Sequence, residues 1–126
     1  MSALCFAPSF YNNRPAAKAF VKAYIRASRD YMGAISGRTS VDDRAQIEAT
    51  LSRYTHIDPA TIREMVPVSL SVNGLPNQES LLYGYHFYRD QGLIPEPLSD
   101  AALAAVWGFE LVDEVLDELG RQPESQ

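Results

Sequence analysis

The chain has 126 residues, 46% of them apolar and 21% charged, with a net charge of −5 at neutral pH. That length fits one domain rather than several, and the apolar share excludes a disordered chain. The acidic balance excludes nucleic acid as a partner, because a phosphate backbone needs clustered lysine and arginine. No apolar run reaches the roughly 20 residues that span a bilayer, so the chain is not embedded in a membrane.

The opening segment, MSALCFAPSF, has neither a basic n-region nor an apolar stretch long enough for an export signal. The chain as it stands is therefore expected in the cytoplasm. Cys5 is the single cysteine; it has no internal disulfide partner and, beside Phe6, reads as a small buried hydrophobe. Residues Ala3 to Ala7 are the one candidate for an extended strand, too short to make a sheet alone.

About five helices follow from hydrophobic periodicity, giving a mainly α fold with a short extended N-terminal segment. The first opens on Asn12 or Asn13 with Pro15 in its first turn. Ala17, Phe20, Val21, Tyr24, Ile25, Ser28, Met32 and Ile35 then recur at helical spacing, up to a left-handed cap at Gly37. The second begins at Ser40, with Asp43 completing a capping box, and presents Ile47, Leu51 and Tyr54 as its buried stripe. Asp58 and Pro59 start a third, short helix. The stretch VPVSLSVNGLP is extended and turns at Asn73-Gly74. Asn77 caps the fourth helix, which carries Leu81, Leu82, Tyr85 and Tyr88 on one face and Tyr83 and Phe87 on another, and closes at Gly92. Apolar on more than one side, it reads as a core helix. After a proline-stiffened linker, Ser99 or Asp100 caps a short turn up to Trp107. The last helix runs from about Phe109 to Leu119, with Val112, Val115, Leu116 and Leu119 inward and Glu110, Asp113, Glu114, Asp117 and Glu118 outward. Residues 1–120 read as a single helical domain, and 121–126 as a disordered tail.

No constellation for catalysis is assigned. His56 and His86 are the candidate imidazole bases, and no nucleophile elbow accompanies either. His86 and Asp90, four apart on one helix, supply two donors where a zinc site needs at least three. The pair reads instead as a half-exposed histidine near a helix end. No cofactor loop is present, since the seven glycines fall at helix ends and turns. Lys18, Lys22, Arg26 and Arg29 form a basic stripe on the first helix, read as a solvated face. The catalytic and metal sets are therefore empty, and the chain is expected not to be an enzyme.

Three segments carry a family resemblance. FAPSFYNNRPAAKAFVKAYIRASRDYMGAI resembles a strand, a helix start and the pattern F-x-x-A-Y-x-R-x-x-R-D-Y, through Phe20, Ala23, Tyr24, Arg26, Arg29, Asp30 and Tyr31. YTHIDPATIREMVP resembles Y-T-x-x-D-P-x-x-x-R-x-M, through Tyr54, Thr55, Asp58, Pro59, Arg63 and Met65. VNGLPNQESLLYGYHFYRDQGLI resembles D-G-x-x-N-x-x-S-L-x-x-x-x-x-F-Y-x-x-Q-G-L-V, through Gly74, Asn77, Ser80, Leu81, Phe87, Tyr88, Gln91, Gly92 and Leu93. Together they are similar to the C-terminal helical part of type-2 periplasmic substrate-binding proteins of ABC transporters, of the nitrate/sulfonate/taurine and thiamine-precursor type. The resemblance implies a non-catalytic periplasmic role: capturing a small anion or pyrimidine precursor and passing it to an ABC permease. The family's ligand positions lie mainly in the part this chain does not match, so the ligand-binding residues stay unassigned and the chain reads as truncated. The alternative is a free-standing helical protein-interaction module without a transport role.

Self-association follows from the missing part. Phe20, Tyr24, Met32, Tyr85, Phe87, Trp107 and Leu116 need cover that a chain of this size does not readily supply. A homodimer burying more than about 2,000 Å² is expected, with the basic stripe of the first helix and the acidic face of the last setting its register.

Overall fold

The structure, a computed structural model, describes residues 4–99, 101–103 and 109–124. The protein is mainly helical, and no strand occurs among the described residues. Its elements are α1 (Pro8–Asn12), α2 (Arg14–Ile35), α3 (Val41–Thr55), α4 (Pro59–Glu64), α5 (Gln78–Asp90) and α6 (Phe109–Leu119), with residues 101–103 also helical.

The helix starts follow local chemistry. Each helix leaves N–H groups in its first turn without a backbone acceptor, and a short polar side chain just upstream supplies one. Ser40 Oγ accepts from the Asp43 N–H at 3.1 Å while Asp43 Oδ2 accepts from the Ser40 N–H at 3.3 Å, closing a capping box on α3. Asp58 accepts from the Thr61 N–H ahead of Pro59 on α4. Asn77 accepts from the Ser80 N–H at 2.9 Å on α5. Ser99 Oγ accepts from the Ala102 N–H at 3.2 Å; the rest of that turn, Trp107 included, lies outside the described residues.

The N-terminus departs from expectation. Residues 4–7 are not a strand; Ala7 is the extended N-cap of α1, with Pro8 in its first turn. A five-residue helix is too short to show a 3.6-residue period, and the proline at its start was the only local signal. The short helix brings Phe10 to Phe6 and Phe20, with ring centroids 5.1, 5.5 and 6.1 Å apart and every pair edge-on. That cluster partly covers Phe20, which remains exposed rather than joining the buried stripe of α2. Cys5 is exposed, not buried.

Contacts group the chain into two compact units: Met1–Val21 with Leu75–Arg121, and Lys22–Gly74 with Gln122–Gln126. The first unit buries Ala17, Val21, Leu111, Val115 and Leu116. On α6, Val115 and Leu116 are thus buried as expected and Leu111 joins them, while Val112 and Leu119 are half-buried. The second unit buries Ile25, Ser28, Met32, Ala34 and Val72, together with the polar Glu48 and Asn73. The segment after α6 is bonded as far as Glu124, since Gln122 and Glu124 hydrogen-bond to the turn at residues 71–73.

Two helices leave their expected faces only partly covered. On α3 the buried residue is Glu48, while Ile47 and Leu51 are half-buried and Tyr54 is 74% exposed. On α5 no residue is fully buried, so it is not a core helix. Tyr88 is exposed, and Leu81, Leu82 and Tyr85 are half-buried. Periodicity locates an apolar face but not what covers it.

Gly74 holds a left-handed φ of +70°, and a Cβ there would stand 2.8 Å from Cγ1 of the fully buried Ile25. Gly92 has the same φ of +70° with nothing within 4 Å of its would-be Cβ. Gly74→Ala is expected to cost about 2–4 kcal/mol, combining backbone strain with overpacking. Gly92→Ala should cost about 1 kcal/mol from backbone strain alone. Urea melts of both variants measure the difference.

Candidate functional site

The residues singled out for chemistry do not converge. Asp90 Oδ1 accepts from Arg89 Nε at 3.0 Å, so its partner is its neighbour rather than His86. His86 is half-buried with its ring 5.6 Å from that of Tyr85, edge-on, and its Nδ1 is buried without a hydrogen-bond partner among the described residues. His56 does a backbone job instead: it is the C-cap of α3, in the left-handed region at φ 59°, where a histidine is tolerated better than most side chains. Among the described residues no three His, Cys, Asp or Glu side chains group as a metal site, and no helix is long and apolar enough to cross a membrane.

The basic stripe of α2 is not a uniform solvated face. In the first unit, Arg14 Nη2 donates to Glu114 Oε1, and Lys18 Nζ lies 2.8 Å from Glu118 Oε1 and 3.7 Å from Glu114 Oε2. The hydrogen bond from Arg14 holds the Glu114 carboxyl below the usual carboxylate range. The bond to Glu118 likewise raises the Lys18 ammonium above its ordinary value. The basic and acidic faces expected to meet across a dimer therefore pair within one chain. These side chains are partly exposed, and solvent screening keeps the contribution of such pairs to stability small. In the second unit, Arg29 Nε donates to the Val72 carbonyl at 2.9 Å.

The second unit also holds a carboxylate that periodicity did not pick out. Glu48 is 7% exposed, and both its oxygens are taken. Oε1 accepts from Arg44 Nε at 3.0 Å, and Oε2 accepts from Arg63 Nε at 3.1 Å and Nη2 at 2.7 Å. Arg44 is one turn earlier on α3, a spacing the sequence shows openly; Arg63 comes from α4, fifteen residues on, and only the tertiary fold brings it there. A buried carboxylate left unpaired would be costly, so α4 closes on α3 around this ion pair. Val41, Arg44, Ala45, Glu48 and Arg63 line an open depression of about 500 Å³. Two guanidiniums against one carboxylate leave it one net positive charge. Hydrogen bonds from Arg63 first, then Arg44, hold the Glu48 carboxyl below its ordinary range against the opposing effect of burial. A carboxylate fixed in its charged form with every oxygen occupied is a structural clamp and a poor proton acceptor.

A further surface feature is the aromatic face of α5. Tyr83 is 75% exposed, and Phe87 and Tyr88 are about half exposed. Tyr83 and Phe87 stand one helical turn apart, and the Phe87 and Tyr88 rings meet edge-on at 5.6 Å. Tyr85 turns the other way in function, its hydroxyl donating to the Leu98 carbonyl at 2.9 Å. Leu93, just past the helix, is also exposed.

Comparison with family models, with curated proteins and with solved structures finds no match to this chain.

The pH dependence of stability tests the Glu48 clamp. A carboxyl whose folded pKa lies below its unfolded value contributes stability that is fully present above the unfolded value, near pH 4.3, and is lost as pH falls through the folded one. The wild-type chain is therefore expected to lose urea resistance below about pH 4.3, and Glu48→Gln to be weaker at neutral pH with a flatter decline. Urea midpoints from pH 7 to pH 3 give the comparison; a constant gap between the two proteins would remove the clamp from the stability account.

Proposed function

We propose that the chain is a non-catalytic homologue of the C-terminal part of an ABC-transporter substrate-binding protein, and that it works through a protein contact made by the exposed face of α5. The observation that carries the proposal is α5 itself. It is the helix of the third family-like segment, and it buries none of its side chains fully while exposing Tyr83, Phe87 and Tyr88. Large aromatic side chains clustered on a surface mark interfaces more often than isolated apolar residues do.

The residues of the resemblance support the same reading from their local roles. Asp58 and Pro59 start α4, Asn77 caps α5, and Gly74 and Gly92 adopt left-handed backbone. Arg29 holds the Val72 carbonyl. Residues with such constrained duties are those a shared fold would keep in register. The contact we assign to α5 is with a second copy of the chain, forming a homodimer. The permease partner and the periplasmic setting come from the resemblance alone. Small anions and pyrimidine precursors are the substrates of the complete two-lobed binding protein, whose cleft encloses most of a ligand; the present chain is proposed to contribute only its helical part. The free-standing interaction module is the second reading, favoured by the same exposed face.

Light scattering across a hundredfold dilution is expected to show a dimer. The double substitution Tyr83→Ser and Phe87→Ser is expected to weaken it about tenfold or more, as for exposed aromatic anchors. A monomer at every concentration would remove the dimer. Calorimetry with nitrate, taurine, an alkanesulfonate and a pyrimidine precursor is expected to give no micromolar binding; a micromolar site would return ligand capture to this chain.

A further inference from the structure

Residues 71–73 and 122–124 meet in a pattern that resembles a peptide in its receptor. Ser71 O accepts from the Gly74 N–H at 3.1 Å, forming a turn with Val72 and Asn73 at its centre, 4% and 6% exposed. The Asn73 side chain pairs with both backbone groups of Gln122. Its Oδ1 accepts from the Gln122 N–H at 2.9 Å, and its Nδ2 donates to the Gln122 carbonyl at 2.7 Å. A neighbouring strand residue engages a backbone in the same two-bonded way, and no side chain of residue 122 is read. Two residues on, three donors converge on the Glu124 carboxylate. Ser71 Oγ donates to Oε1 at 2.7 Å, Asn73 Nδ2 to Oε1 at 2.9 Å, and the Val72 N–H to Oε2 at 3.3 Å. Behind the turn, Arg29 Nε donates to the Val72 carbonyl at 2.9 Å and Arg29 Nη2 to Asn73 Oδ1 at 3.5 Å. All of these residues belong to one compact unit.

The two sides of the contact differ. The receiving turn is buried and braced by α2, whereas residues 122–124 are exposed and their described bonds are polar. A segment held that way opens at low free-energy cost compared with an apolar core element. Pro123 between the two contact points restricts φ to about −65° and lacks an N–H that would need a partner, so the segment arrives partly pre-shaped.

We propose that the Ser71–Asn73 turn, braced by Arg29, is a binding site for an extended glutamate-bearing peptide, and that residues 122–124 occupy it in cis. The peptide it takes presents one backbone N–H and C=O pair to Asn73 and a glutamate two residues later to Ser71, Val72 and Asn73. An aspartate, one methylene shorter, would not span the same distance, and a lysine or arginine would face donors only. A short tether presents the cis segment at an effective concentration of about millimolar, so an outside peptide binds by displacing it. This site does not depend on the contact proposed for α5.

The test uses the full chain carrying Glu124→Ala, labelled for amide NMR, and a synthetic peptide of residues 121–126, RQPESQ. Saturable shifts are expected at the Val72 N–H and the Asn73 side-chain amide. The same peptide with Glu124→Gln is expected to bind about tenfold or more weakly, since hydrogen bonds to a charged acceptor are the stronger kind. The wild-type chain, with its own segment competing, is expected to need about tenfold or more peptide for the same shift. Equal binding of the two peptides, no shift at the turn, or failure of the Glu124→Ala chain to fold would each overturn the proposal, the last because a displaceable occupant is not required for folding.

Discussion

Burying the side-chain amide of Asn73 removes its oxygen and both its N–H groups from water, and each such group left unpaired would cost about 1–3 kcal/mol. The second unit is arranged so that this does not happen. Arg29 reaches from α2 to the turn, and Gln122 and Glu124 return to it from the far end of the chain. Because hydrogen bonds lose strength steeply outside a narrow range of distance and angle, Arg29 fixes where the turn stands along α2, and Gln122 and Glu124 complete the amide's bonds. Gly74 follows at once, with its absent Cβ allowing the backbone to pass Ile25 at contact distance. One buried amide therefore ties together three parts of the sequence that have no local reason to meet.

Glu48 solves a related problem with charge. Its burial is tolerated because both oxygens receive guanidinium donors, one set from its own helix and one from α4. In the first unit, Arg14 and Lys18 serve Glu114 and Glu118 in a more exposed setting. Two of the basic side chains on α2, Arg14 and Lys18, are thus spent on the chain's own carboxylates. A count of lysines and arginines on a helix face says little about outside partners until the internal pairs are known.

The apolar residues show the opposite imbalance. Val66 is 90% exposed and Val41 85%, alongside Tyr54, Tyr83, Phe87 and Tyr88. Single exposed apolar side chains are ordinary on any protein surface, but Tyr83, Phe87 and Tyr88 lie close together on one short helix, each at least half exposed. The interaction role proposed for the protein rests on that local concentration rather than on the total. Polar segments at the surface and aromatic residues at the surface would then do different work: the first closes the chain on itself, the second faces outward.

What the sequence by itself determined was local. The caps at Ser40, Asp58, Asn77 and Ser99, the left-handed glycines, the helical class and most of the α2 stripe depend on interactions within a few residues, where spacing alone decides geometry. The tertiary structure decided which faces are covered. It buried Glu48 where Ile47, Leu51 and Tyr54 had the better hydrophobic pattern, and it left α5 outside the core despite its two apolar sides. It also drew Gln122 and Glu124 out of an expected disordered tail and onto Asn73. Each of these outcomes depends on a partner tens of residues away in the chain. A helix carries its own period, but a buried ion or amide is stable only once its distant partner has arrived, and nothing local records that arrival.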